Sequence, residues 1–97
     1  MRRATIGYSG GRALVDVVVV SSQGCHYCED ARSALDELAQ EFPLSVKEID
    51  VRSPEGVAIL TAHRTLMQPA VLVNGRLFSA GRLPRRKLRR FLEQGAA

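Results

Sequence analysis

The chain has 97 residues, 45% of them hydrophobic and 25% charged, which suits one domain and argues against wholesale disorder. The longest apolar run, Val17 to Val20, is far too short to span a bilayer. The net charge of +4 is uneven: residues 82–97 carry six cationic side chains against one acidic, and residues 1–81 carry eight against nine.

Residues 1–12, rich in Gly, Ser and Arg, read as a loose arm ahead of a single domain over residues 13–94. "MRR" followed by "ALVDVVVVSSQGC" has the outline of a secretory leader. Asp16 breaks its apolar segment, however, and Ser22 and Gln23 are too polar to precede a lipidated cysteine. The expectation is a cytoplasmic protein with no membrane partner.

Leu14 to Val20 is rich in β-branched residues and nearly continuous in apolar character, as befits a central strand covered on both faces. Ala31, Leu35, Leu38, Ala39 and Phe42 then recur at helical spacing, and the helix must end before Pro43. "LSVKEIDV" has the composition of a second strand. Ser53, Pro54 and Glu55 supply a cap, a first-turn proline and a first-turn acid for a helix running to about His63 or Arg64, weakened slightly by Gly56. "AVLV" and "RLFS" flank Asn74-Gly75, the dipeptide of a type I′ hairpin turn. Pro84 opens a last helix with an apolar stripe of Leu88, Phe91 and Leu92 and its arginines toward water.

The order is β-α-β-α-β-β-α. It predicts an α/β fold: a right-handed β-α-β unit with parallel strands, extended by an antiparallel hairpin into a four-stranded mixed sheet flanked by helices.

The only two cysteines stand in "SSQGCHYCED", between the first strand and the first helix. Cys25 at the helix start lies near unpaired backbone N–H groups and the positive end of the dipole. Both favour thiolate, and such settings lower a free-cysteine pKa of ~8.5 to ~3.5–7.5. Cys28 follows one helical turn along. The natural division is Cys25 as nucleophile toward a disulfide and Cys28 as resolving thiol, with no bound cofactor. His26 is a candidate source of positive charge that favours the thiolate, and Tyr27 offers an apolar wall with a hydroxyl tip.

Strand, "GCHYC", helix and later "MQPAVLVNG" resemble the thioredoxin superfamily, specifically its glutaredoxin-like branch, from about Leu14 to Leu92. The resemblance implies a thioredoxin-like fold and a dithiol–disulfide oxidoreductase acting on a protein disulfide or a small-thiol substrate. It also implies that Pro69 is a cis-proline facing the cysteine pair and that Gln68 offers its backbone to the bound chain. Against thioredoxins proper, Gly24 replaces the tryptophan before the first cysteine and Val19 the buried acid. Tyr27 matches the glutaredoxin C-P-Y-C pattern, with His26 in place of its proline. Ser22 replaces a basic glutathione contact, and the Gly-Gly and acid near the last helix reduce to "SAGRLP", which keeps Gly81 and has Pro84 near the place of the acid; Gly81 and Arg82 are the candidate substrate-binding residues there. The electron donor is therefore glutathione, another low-molecular-weight thiol such as mycothiol, or thioredoxin reductase.

Two other classes compete. A redox or metal sensor without turnover would use the same cysteines, but zinc needs four donors, or three and water. There is no second C-x-x-C, His26 is badly placed beside Cys25, and His63 reads as an ordinary helix-end residue; no metal site is assigned. "RLPRRKLRRFLEQ" suggests a nucleic-acid or acidic-partner surface. Its like-charge i,i+4 pairs, Arg85/Arg89 and Arg86/Arg90, cost a helix ~0.2–0.5 kcal/mol each. Little aromatic interleaving disfavours nucleic acid, whereas Arg82 and Arg85 near the helix start suit a partner's carboxylate. The expected protein is a monomer.

Overall fold

In the computed structural model, which describes residues 14–95, the β-branched run forms an inner strand of the sheet. This strand, β1 (Val15–Ser21), pairs in parallel with β2 (Leu44–Asp50) and antiparallel with β3 (Ala70–Val73). Through a tight turn β3 continues into β4 (Arg76–Ala80), so the sheet order is β2-β1-β3-β4. Helices α1 (His26–Ala39), α2 (Pro54–Ala62) and α3 (Arg85–Glu93) complete the β-α-β-α-β-β-α order that the sequence predicts. The expected arm, residues 1–12, lies outside the described residues.

Both faces of β1 are covered, as its composition demands. Val15, Val17 and Val19 join Ala31, Leu35 and Leu38 of α1 and Leu88 and Leu92 of α3 in the larger core. Val20 joins Ile49 and Ala70 on the other face, where Ile59 and Leu60 of α2 pack. Each buried Val, Leu or Ile among them is worth ~1.5–3 kcal/mol over leaving it in water, so these two layers dominate the favourable side of folding. β2 is an edge strand; among its residues only Ile49 is fully buried, which explains its imperfect alternation.

The helical stripe on α1 differs in one place from its expected form. Ala34 is buried and Ala39 exposed, because the helix ends at Ala39 and Phe42 reaches the core from the following turn. Asn74 and Gly75 have φ of 51° and 82°, the two positive values a type I′ turn requires. Asn74 also holds β1: its Oδ1 accepts from the Asp16 N–H at 3.0 Å, and its own N–H donates to the Asp16 carbonyl at 2.7 Å. The register shifts between Val71 and Leu72, placing an extra residue, Phe78, in β4 against Phe91 of α3, with ring centroids 5.9 Å apart.

The arginines of α3 lie at the surface as expected, and two of them are also paired with acids of the neighbouring segment. Arg85 donates to Asp30 Oδ1 at 2.8 Å, and Arg89 grips both carboxylate oxygens of Glu41 at 2.9 and 2.7 Å. These bidentate and charge-assisted contacts clip α3 onto α1 and its C-terminal turn.

α2 starts as the sequence indicates. The Ser53 hydroxyl accepts from the Gly56 N–H at 3.0 Å and donates to the Asp50 carbonyl at 2.7 Å, with Pro54 in the first turn. Gly56 is there for a reason other than helix propensity: a Cβ at this position would overlap the Asp50 carbonyl, so only glycine lets α2 lie this close to the end of β2. Gly56→Ala should therefore destabilise the fold by ~1–3 kcal/mol, the usual cost of overpacking, despite alanine's better helix propensity. Thermal unfolding followed by circular dichroism checks this; an unchanged or raised Tm would remove the close-approach argument.

Candidate active site

β1 delivers the chain to the site. After Ser21 a short loop turns through Gly24, at φ of 74°, and α1 begins at His26. Cys25 is the N-cap, extended at φ −95° and ψ 113°, and its sulfur accepts the Cys28 N–H at 3.2 Å. A cysteine thus occupies the place where Ser, Thr, Asp or Asn usually satisfies an orphan donor. The Cα atoms of Cys25 and Cys28 are 5.1 Å apart and the two residues are joined as a disulfide.

The two cysteines are not equivalent. Cys28, in the first turn of α1, is 1% exposed, whereas Cys25 at the N-cap is only partly buried. His26 and Tyr27 are exposed in the first turn beside them. An incoming group can therefore approach Cys25, flanked by Tyr27, and not Cys28.

The second wall comes from the segment before β3. Antiparallel pairing sets Val20 opposite Ala70, so Pro69 lies beside the end of β1. The Gln68–Pro69 peptide is cis, and the Ser22 hydroxyl donates to Gln68 Oε1 at 2.5 Å, linking the cysteine loop to this segment. Gly81 donates its N–H to the Pro69 carbonyl at 3.0 Å. Gly81 has φ of 96° and is buried; an added Cβ would come 3.2 Å from the Met67 methyl. Gln68, Pro69 and Gly81 are thus brought together at the end of the sheet from which the cysteine loop emerges. Arg82 follows directly, exposed at the rim.

A polar cluster next to this loop was not singled out in the sequence. The Ser21 hydroxyl, on a residue 5% exposed, donates to Glu48 Oε2 at 2.6 Å. Arg32 of α1 donates from Nε to Glu48 Oε1 at 3.1 Å and pairs through Nη2 with Oε2. These residues line an open cleft of about 330 Å³ with Ser22, Gln23 and Asp50. The Arg32 guanidinium first, and the Ser21 hydroxyl second, hold the Glu48 carboxyl below its ordinary pKa. The signal was the expected parallel pairing of the first two strands, which brings Glu48 level with Val19; its register was not legible. Among the described residues no three His, Cys, Asp or Glu side chains come together as a metal-ligand set.

This combination, a parallel-plus-hairpin sheet with a C-x-x-C capping the first helix and a cis-proline segment hydrogen-bonded to the cysteine loop, defines a thioredoxin-like domain. The chain belongs to the thioredoxin domain family, whose model matches residues 15–93. Its fold is similar to that of thioredoxin O2 from Arabidopsis thaliana in the oxidised state (TM-score 0.64, 16% identity, 84% of this chain and 74% of that one). A mutant thioredoxin from Halobacterium salinarum is similar as well (TM-score 0.62, 20% identity, 86% and 75% covered). So is a malarial protein (TM-score 0.66, 12% identity, 88% and 100% covered). No curated sequence matches the chain. At these identities the structural likeness speaks for the fold alone. No helix among the described residues is long and apolar enough to cross a membrane.

Because the folded pKa of Glu48 is lowered, its contribution to stability is complete above the ordinary glutamate value of ~4.3 and is lost as pH falls through the folded value. Glu48→Gln should lower Tm by at most a few degrees at neutral pH, since the pair is partly exposed and solvent-screened. That difference should shrink toward zero in acid. A Tm difference that stays constant from neutral pH down through the carboxylate range would show that the charge of Glu48 is not what matters.

Proposed function

We propose that this protein is a small dithiol–disulfide oxidoreductase of the glutaredoxin-like type, with Cys25 as nucleophile and Cys28 as resolving thiol. The observation that carries the reading is the asymmetry of the pair: Cys25 is accessible at a helix N-cap with a backbone N–H on its sulfur, while Cys28 is buried one turn behind.

The chemistry follows from that placement. In the reduced protein the Cys25 thiolate attacks one sulfur of a client disulfide, forming a mixed disulfide and expelling the other client sulfur as thiolate. Cys28 then gives up its proton and attacks the Cys25 sulfur, which releases the second client thiolate. The client has gained two electrons and the Cys25–Cys28 pair is oxidised. A small thiol, glutathione or mycothiol, or thioredoxin reductase returns the two electrons.

The client chain would lie along the segment at Gln68 and Pro69, using backbone groups of Gln68, with Gly81 and Arg82 bounding the far side. His26 and Tyr27 tune and shape the approach to Cys25. The absence of tryptophan from the chain, Val19 where thioredoxins carry an acid, and Tyr27 within C-H-Y-C support the glutaredoxin-like assignment over thioredoxin proper. Such a cycle suits a reducing compartment, the cytoplasm, where dithiols are regenerated.

Two measurements on the reduced protein test this. Alkylation of each cysteine against pH should give Cys25 a midpoint well below ~8.5 and leave Cys28 slow. Cys28→Ser should accumulate a mixed disulfide with a model disulfide, and Cys25→Ser should not. If neither variant traps substrate and binding to a partner changes with redox state instead, the protein is a sensor rather than an enzyme.

A further inference from the structure

The basic terminal segment divides into two sets of arginines with different surroundings. Arg85 and Arg89 are engaged by Asp30 and Glu41 and form part of the α1–α3 clasp. This corrects the expectation that Arg85 is free to meet a partner's carboxylate. The side chains of Arg82, Arg86 and Arg90 are exposed and have no hydrogen bond or ion pair to any described residue. They fall at successive spacings of four and line one groove of about 630 Å³, together with Lys87 and Pro84. Like charges held on one stripe without counter-charges repel one another, and a bound anion relieves this.

Two further features favour an anionic occupant. α3 has no side-chain cap, so the first-turn N–H groups of Arg85, Arg86 and Lys87 are orphan donors on the same wall. Two groove residues also connect it to the cysteine site. Arg82 adjoins Gly81, whose N–H holds the Pro69 carbonyl, and the wall residue Asp30 lies two residues beyond Cys28 on α1.

We propose that the Arg82–Arg86–Arg90 groove binds an acidic, extended segment of the client protein, lying next to the disulfide that Cys25 attacks. This names the substrate class of the oxidoreductase site and rests on that reading. The step from Arg86 to Arg90 rises ~6 Å along the helix. Alternate side chains of an extended chain stand ~6.6–6.8 Å apart on one face. Carboxylates at every second residue of a client strand therefore meet successive arginines. A polypeptide fits better than a nucleic acid because no aromatic ring lines the groove to stack a base; Phe78 and Phe91 pack on each other instead.

The test uses the full chain and two model disulfide peptides that are identical except at alternate flanking positions, acidic in one and Ser or Gln in the other. With dithiothreitol as electron donor, the natural protein should reduce the acidic peptide with a kcat/KM about threefold to tenfold higher, a preference that high salt removes. R86S/R90S should lose the preference while reducing the neutral peptide at the natural rate. R86E/R90E should reverse it in favour of a lysine-flanked peptide, an effect that mere structural damage would not produce. Equal rates on acidic and neutral peptides at low salt would overturn the proposal with the oxidoreductase reading intact. If no peptide is reduced, that reading fails, and fluorescence anisotropy of a cysteine-free acidic peptide tests the groove by itself. Binding lost in R86S/R90S then supports it, and binding that is equal in both, or weaker than that of a single-stranded oligonucleotide, overturns it.

Discussion

Everything at the site depends on where β1 stops. It is the strand on which the two halves of the fold meet, the β-α-β unit on its β2 edge and the hairpin on its β3 edge. Yet its sequence is a poor guide to its own register. Val17 to Val20 present the same side chain to both faces, so a one-residue slip would not by itself expose an apolar set, which is the usual safeguard. The ends of the strand supply what the middle lacks. Asn74 holds the Asp16 backbone through both donor and acceptor, and the Ser21 hydroxyl is fixed to Glu48 beneath α1. With both ends pinned, the loop that follows has one length, and Cys25 falls at the N-cap of α1.

That dependence explains why some of the site was legible in the sequence and some was not. The cysteine pair, its strand-to-helix setting and the turn at Asn74-Gly75 are local: each is specified by residues within a few positions of one another, and each is present as read. Gln68, Pro69 and Gly81 were placed by resemblance, and the structure gathers them at the end of the sheet with the cysteine loop. The Ser21–Glu48–Arg32 cluster depends on parallel register between strands separated by a helix, and no local signal carries that information. Ala39 differs from its expected burial at the helix end: as the last residue of α1 it is exposed, while Phe42 packs on the core from the turn that follows.

Gly56 and the arginines illustrate the limit from opposite directions. Glycine in a helix reads as a weakness when only propensity is considered, but the nearby Asp50 carbonyl makes it the one residue that lets α2 pack. The arginines of α3 read as a uniform basic face when only the helix is considered. Both misreadings arise because a neighbour distant in sequence decides the role: β2's end for Gly56, and the acids of α1 and its C-terminal turn for Arg85 and Arg89.

The electrostatics of the last helix then have a simple physical logic. α3 is too short and too densely cationic to be stable by itself, since helices of this length are marginal even in alanine-rich sequences. It is held by Leu88 and Leu92 in the core and by Asp30 and Glu41 at its edge. Those acids neutralise one stripe only. Had the acidic residues of α1 been placed to satisfy every arginine, the helix would be better compensated and the groove would be electrically neutral. The same carboxylates that dock α3 thus leave the second stripe as an uncompensated positive surface, and its position is fixed to the cysteine site through α1, which carries both Cys28 and Asp30.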